Sequence, residues 1–146
     1  MNAPSQPSTP PDSSLIERFA KIVGDRYALR QADEISPYLI ERRDLFHGQT
    51  SIVLRPGTVD EVAAVLRLAK QTRTPVVPQG GNTGLVGGQV PDASGTAIIL
   101  SLSRLDKVRS VDPEKDAMIA EAGVILADAQ TAADAADRLF PLSLAS

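Results

Sequence analysis

The chain has 146 residues, 42% of them hydrophobic, and a formal net charge of −3, which suits one globular domain with its own core. The mild acidity argues against nucleic acid as a partner, because phosphate-backbone binding needs a clustered basic face. With no cysteine and one histidine, disulfides, thiolate nucleophiles and ordinary zinc sites are excluded, and no run of eighteen apolar residues exists to span a membrane.

Residues 1–14 hold four prolines and five Ser/Thr and almost no apolar mass, so a disordered tail is expected there. No basic residue precedes Arg18 and no apolar stretch is present, which argues against a secretory signal or transit peptide and favours the cytoplasm. Leu15, Ile16, Phe19, Ile22 and Val23 recur at helical spacing and predict an amphipathic helix ending at Gly24. A weaker helical pattern covers 28–39, limited by Pro37, so 15–48 reads as an N-terminal helical segment before a main domain at 49–146.

Within that domain, 51–54 reads as a strand closed by Arg55-Pro56-Gly57. Thr58 and Glu61 form a capping-box pair, and Val62, Val65, Leu66 and Ala69 continue a helix to about Thr72. A strand at 75–77 completes a β-α-β order, which implies a crossover with parallel strands. Residues 97–102 read as a buried strand. Two further strands, 107–111 and 117–122, flank a charged turn in which Asp112, Glu114 and Asp116 are read as a solvated face. The alanine-rich stretch 125–139 predicts a helix whose thin face, Ile125, Ala129, Ala132, Ala133 and Ala136, can lie close to a sheet. Helices alternating with strands that then pair locally give an α+β (α/β) fold with a mixed sheet.

The most informative stretch is Pro78-Gln79-Gly80-Gly81-Asn82-Thr83-Gly84-Leu85-Val86-Gly87-Gly88, with five glycines in nine positions. Glycine at that density is expected to give repeated positive φ and to turn backbone N–H groups into one concavity, which binds a phosphate without cationic side chains. Neither the GxGxxG nor the GxxxxGK[ST] spacing is present, so the Rossmann and P-loop readings fail. Structureless connections of this length are uncommon and usually functional.

This run resembles the FAD-pyrophosphate loop of FAD-linked oxidases of the vanillyl-alcohol oxidase and p-cresol methylhydroxylase type. It is most similar to the D-2-hydroxyacid dehydrogenase branch, which contains D-lactate dehydrogenase, D-2-hydroxyglutarate dehydrogenase and the flavin subunit of glycolate oxidase. Val53-Leu54-Arg55-Pro56-Gly57 before the loop and Ile99-Leu100-Ser101-Leu102-Ser103 after it fall in the matching order. The resemblance covers residues from about 35 to 146. It implies the first subdomain, and the start of the second, of a two-subdomain FAD-binding domain, with a mixed sheet flanked by helices.

It also implies that Pro78, Gln79, Gly80, Gly81, Asn82, Thr83, Gly84 and Leu85 wrap the FAD diphosphate and ribose, Asn82 and Thr83 adding side-chain bonds. Gly123, in Glu121-Ala122-Gly123-Val124, either passes beside the flavin or only serves a strand-to-helix turn. Pro141 either lies near the flavin ring or only starts a strand. Some relatives tether the flavin covalently through a histidine at the position of Asn82, and an amide cannot form that bond, so the FAD is expected to be noncovalent. His47 reads as a surface or packing residue rather than a ligand. Where relatives show an Asp-Trp-Arg-like sequence this chain has Glu41-Arg42-Arg43.

By resemblance the partners are a small 2-hydroxyacid (lactate, 2-hydroxyglutarate or glycolate-like) and a separate electron acceptor. The catalytic histidine and the substrate-binding arginines are expected beyond Ser146, and the chain is expected to be an N-terminal fragment, inactive alone. Two alternatives are a flavoenzyme like UDP-N-acetylenolpyruvylglucosamine reductase and a non-catalytic nucleotide-binding fragment.

Overall fold

The computed structural model describes residues 9–143. Pro11 is buried and the Asp12 carboxylate accepts a 2.8 Å bond from the Leu15 N–H, so helix α1 (Ser13–Val23) starts inside the stretch expected to be a tail. The rest of that tail, residues 1–8, lies outside the described residues. Gly24 closes α1 at φ 82°, a left-handed value that favours glycine.

The stretch 28–39 is not one helix. Ala28–Leu29 form strand β1, and only α2 (Ala32–Ile35) and a 3₁₀ turn at Ser36–Tyr38 are helical. β1 pairs antiparallel with β2 (Val53–Leu54), and the Arg55 N–H donates 2.9 Å to the Tyr27 carbonyl. Those long-range ladder bonds outweigh a weak local helical pattern.

Helix α3 (Val59–Thr72) begins as expected, with Thr58 Oγ1 accepting from the Glu61 N–H at 3.1 Å. The return bond differs from a capping box. Glu61 Oε2 accepts from the Gly57 N–H at 2.7 Å, one residue upstream of Thr58.

β3 (Val76–Gln79) and β4 (Ile98–Ser101) complete a four-stranded mixed sheet in the order β1-β2-β4-β3, with β2, β4 and β3 parallel. All four β4 residues are buried because both faces are covered. Ile98 and Leu100 join Phe19, Leu54, Val65 and Leu68 under α1 and α3, whereas Ile99 and Val53 pack on the other face with Ile35. Each such side chain contributes roughly 1.5–3 kcal/mol by leaving water. β3 is a sheet edge. The Ile98 and Leu102 N–H groups donate to the Pro75 and Gln79 carbonyls, so odd-numbered positions of β3 face β4 and Pro78 sits at an outward-facing one.

The remaining strands, β5 (Val108–Asp112) and β6 (Ala117–Ala120), form a separate antiparallel pair. Their connecting turn is ion-paired, Lys115 to Asp112 at 2.6 Å and Arg138 to Asp116 at 2.8 Å, which suits the solvated reading of its acids. Helix α4 (Leu126–Asp134) packs on β5 and buries Ala129 and Ala133. It stops short of Leu139, because Asp137 is left-handed at φ 53° and the Arg138 N–H turns back 2.9 Å to the Ala133 carbonyl. Ile125, expected on the thin face, is instead the residue just before the helix and is 60% exposed. No helix among the described residues is long and apolar enough to cross a membrane.

Candidate functional site

The glycine loop leaves the carboxyl end of β3, the side of a parallel sheet where ligands bind in open α/β folds. Gly80, Gly81 and Thr83 form one wall of an open cleft of about 390 Å³. Ser103, just past the end of β4, and Ala122, Gly123, Val124, Ile125 and Leu126 line the same cleft. The two glycine-bearing segments singled out in the sequence therefore meet across one opening. Pro141 is exposed and does not line it.

The loop's conformation differs from the expectation of repeated positive φ. Among its glycines only Gly87 is left-handed, at φ 75°, and the other left-handed residue is Asn82 at φ 56°. Gly80 and Gly81 meet no internal steric demand either: a methyl group on Gly80 would touch nothing within 4 Å, and one on Gly81 would come no closer than 3.7 Å to Thr83 Cγ2. Their missing side chains leave bare backbone facing the cleft, which lets a ligand approach the amides closely.

Three of the loop's carbonyls are tied to the protein. Gln79 O accepts from the Leu102 N–H at 2.9 Å, Gly84 O from Gln89 Nε2 at 2.7 Å, and Leu85 O from the Arg43 guanidinium. In a planar trans peptide the following N–H points the opposite way, so the anchored carbonyls turn the N–H groups of Gly80, Leu85 and Val86 away from their partners. Among the described residues, none accepts a hydrogen bond from the backbone N–H of residues 80–85. Of these residues Gly80, Gly81 and Thr83 line the cleft, where unpaired amides can meet an anion. On the facing wall α4 has no side-chain cap, and its start, Ile125 and Leu126, lines the cleft with the N–H of Leu126 unpaired, whereas that of Asp128 bonds the Ile125 carbonyl at 3.1 Å.

Of the residues expected to wrap FAD, two have side chains turned inward. Gln79 is buried, and its Nε2 donates to the Tyr38 carbonyl at 3.0 Å and the Gln89 carbonyl at 2.9 Å. Asn82 Nδ2 donates to the Pro37 and Ile40 carbonyls at 3.1 and 2.9 Å, leaving only Oδ1, a buried acceptor without a partner. An acceptor cannot bond a phosphate oxygen but can take a ribose hydroxyl. Thr83 alone of the two expected side chains faces the cleft. His47 is exposed, with Nε2 3.1 Å from Asp44 Oδ1, and does not line the opening.

Two contributors escaped the sequence reading. Ser103 sits on a turn closed by the Leu105 N–H to the Leu102 carbonyl, and Arg104 secures that turn with a 2.7 Å bond to the Arg55 carbonyl and a guanidinium 3.3 Å from the Tyr27 ring centre. The uncapped start of α4 was visible as a helix preceded by Gly-Val-Ile, with no Ser, Thr, Asp or Asn at the cap. Gly123 has an internal reason to be glycine: a methyl group there would collide with the Leu102 carbonyl oxygen and lie 2.8 Å from that of Leu105. Glu121 fixes the same wall, its carboxylate accepting from the Lys107 N–H and from Arg109 at 2.9 Å. Those two partners, the amide first, hold its pKa below the usual carboxylate range against the effect of burial.

A nest of free amides, a facing helix start and bare glycines together fit a dinucleotide's diphosphate. Residues 50–146 match the family described as FAD binding domain, and the chain belongs to that family. It is 33% identical over 137 residues to the D-2-hydroxyglutarate–pyruvate transhydrogenase DLD3 of Saccharomyces cerevisiae, covering 92% of this chain and 27% of that protein. With the mitochondrial D-2-hydroxyglutarate dehydrogenase of Arabidopsis thaliana the identity is 31% over 133 residues, covering 91% and 23%. A solved p-cresol methylhydroxylase superposes with a TM-score of 0.67 at 19% identity, over 85% of this chain and 24% of that one, and so shares the fold. The chain thus spans about a quarter of the length of the relatives it matches.

Proposed function

We propose that this chain is the FAD-binding portion of a flavoprotein that oxidises a D-2-hydroxyacid and passes the electrons to a separate acceptor. The observation that carries the reading is that Gly80, Gly81, Thr83, Gly123 and the start of α4 line one cleft, together with relatives whose names specify D-2-hydroxyglutarate. Bound FAD supplies a two-electron, hydride-accepting ring.

The residues of this chain bind and orient. Gly80 and Gly81 let the diphosphate reach the amides, each charge-assisted N–H bond contributing about 1.5–3 kcal/mol before ordering costs. Thr83 adds a hydroxyl, and Gly123 keeps the opposite wall close. No residue here is assigned as acid or base.

The test compares this chain with the longest in-frame chain that contains it, both loaded with FAD and assayed on D-lactate and D-2-hydroxyglutarate with an artificial electron acceptor. Turnover is expected from the longer chain only, since groups that orient the substrate are worth about a hundredfold in rate. An FAD-loaded long chain that oxidises neither acid sinks the reading, and turnover by the 146-residue chain alone shows that it needs nothing more.

The flavin is expected to be noncovalent, because Asn82 stands where a tethering histidine would and its amide nitrogen is already engaged. Acid precipitation should release the flavin to the supernatant, and flavin fluorescence left in the pellet would contradict this. The compartment belongs to the same proposal. The cytoplasmic reading stands against a relative named as mitochondrial, and fractionation of a tagged chain decides between them.

A further inference from the structure

Residues 37–46 shape the cofactor loop from more than 40 positions upstream. The Tyr38 carbonyl holds Gln79, the Pro37 and Ile40 carbonyls hold Asn82, and the Arg43 guanidinium holds the Leu85 carbonyl. The Phe46 ring fills the space beside Gly87, where a methyl group would lie 2.7 Å from it. At the centre of this segment is Glu41, a carboxylate only 2% exposed although it sits in a surface turn. It accepts from the Arg43 N–H at 2.8 Å and the Leu45 N–H at 2.9 Å, and lies 3.8 Å from Arg43 Nε. The Arg43 amide lowers its pKa most, burial opposes this, and the Leu45 amide and the Arg43 charge add to the lowering.

A buried anion needs a task that outweighs its desolvation. Bonding the Arg43 and Leu45 N–H groups of a turn whose guanidinium then reaches across to the loop is such a task.

We propose that Glu41 and Arg43 are positioning residues for FAD: the buried carboxylate holds the Arg43 guanidinium on the Leu85 carbonyl, and this clasp sets the diphosphate-binding shape of residues 80–85. The proposal rests on the FAD reading and deepens it. Neither residue lines the cleft, so neither touches the cofactor. Their effect passes through the orientation of the loop peptides, because a free Leu85 carbonyl lets the loop rotate its amides out of convergence.

The test uses the full chain with Arg43→Ala, Arg43→Lys and Glu41→Gln. FAD affinity is read by flavin fluorescence titration, the nanosecond motion of the loop amides by ¹⁵N relaxation without FAD, and the fold by thermal midpoint. Arg43 is half exposed, so its replacement should leave the midpoint unchanged while FAD binding weakens on the order of tenfold and the amides of 82–87 gain motion. Lysine, which keeps one donor and the charge, should restore most of both. Glu41→Gln keeps the shape of the side chain and should move affinity and loop motion in the same direction as Arg43→Ala.

Unchanged loop motion and affinity in Arg43→Ala overturn the clasp, as does an equal loss in the lysine variant with a lowered midpoint, which marks a purely structural role. If the unsubstituted chain binds no FAD, the FAD reading falls, and the relaxation comparison alone still decides whether Arg43 orders the loop.

Discussion

Gly81→Asp in the full chain is expected to leave the protein folded and to abolish FAD binding. The position has no left-handed φ and a methyl group there meets nothing closer than 3.7 Å, so the fold tolerates a side chain. The new carboxylate, however, projects into the cleft among the free amides of residues 80–85. A unit charge about 4 Å from the diphosphate at an effective dielectric near 20 costs about 4 kcal/mol, roughly a thousandfold in affinity. Circular dichroism with thermal melting and flavin titration separate the two quantities. Gly81→Ala, which adds bulk without charge, should fall between. A folded Gly81→Asp protein that retains stoichiometric FAD would falsify the assignment of the loop.

Gly123→Ala is expected to do the reverse and damage the protein before the cofactor enters. Its added carbon is aimed at the Leu102 carbonyl oxygen, a backbone atom that cannot swing aside as a side chain would. Relief requires the 122–126 wall to move away from the 102–105 turn, which breaks the 2.8 Å bond from the Gly123 N–H to the Leu105 carbonyl. Overpacking of this kind costs about 1–3 kcal/mol, a fall in melting temperature of roughly 2–10 °C for a domain of this size. FAD affinity should drop with it, because the same movement widens the cleft. A variant with wild-type melting temperature and wild-type affinity would show that the close approach of the two segments is not needed.

The parts of the fold written locally in the sequence were legible. α3 follows from its Thr58 cap and apolar spacing, β4 from an unbroken apolar run, and the cofactor loop from glycines no element needs. The parts set by distant pairing were not. β1 is two residues long and exists because β2 lies opposite, and α4 ends early because Asp137 turns left-handed, which no helix propensity foretells.

In the candidate site, three of the expected glycines, Gly80, Gly81 and Gly123, do line one cleft. Gln79 and Asn82 were expected at the cofactor because their loop resembles a FAD-pyrophosphate loop. Four carbonyls supplied by Pro37, Tyr38, Ile40 and Gln89 claim their side-chain amides first, and three of the four lie about 40 residues away in the chain. Glu41-Arg42-Arg43 was noticed as a departure from the family pattern, but its use depends on the Leu85 carbonyl arriving beside it.

Pro78 shows how one residue can serve both the molecule and its neighbours in solution. β3 is the open edge of the four-stranded sheet, and its outward backbone groups would normally invite a strand from another copy. At the outward position just before the cofactor loop the donor is absent and a pyrrolidine ring stands in its place, at no cost to the ladder with β4. Two chains meeting edge to edge therefore lack a hydrogen bond at that position, which disfavours pairing through this strand beside the mouth of the cleft.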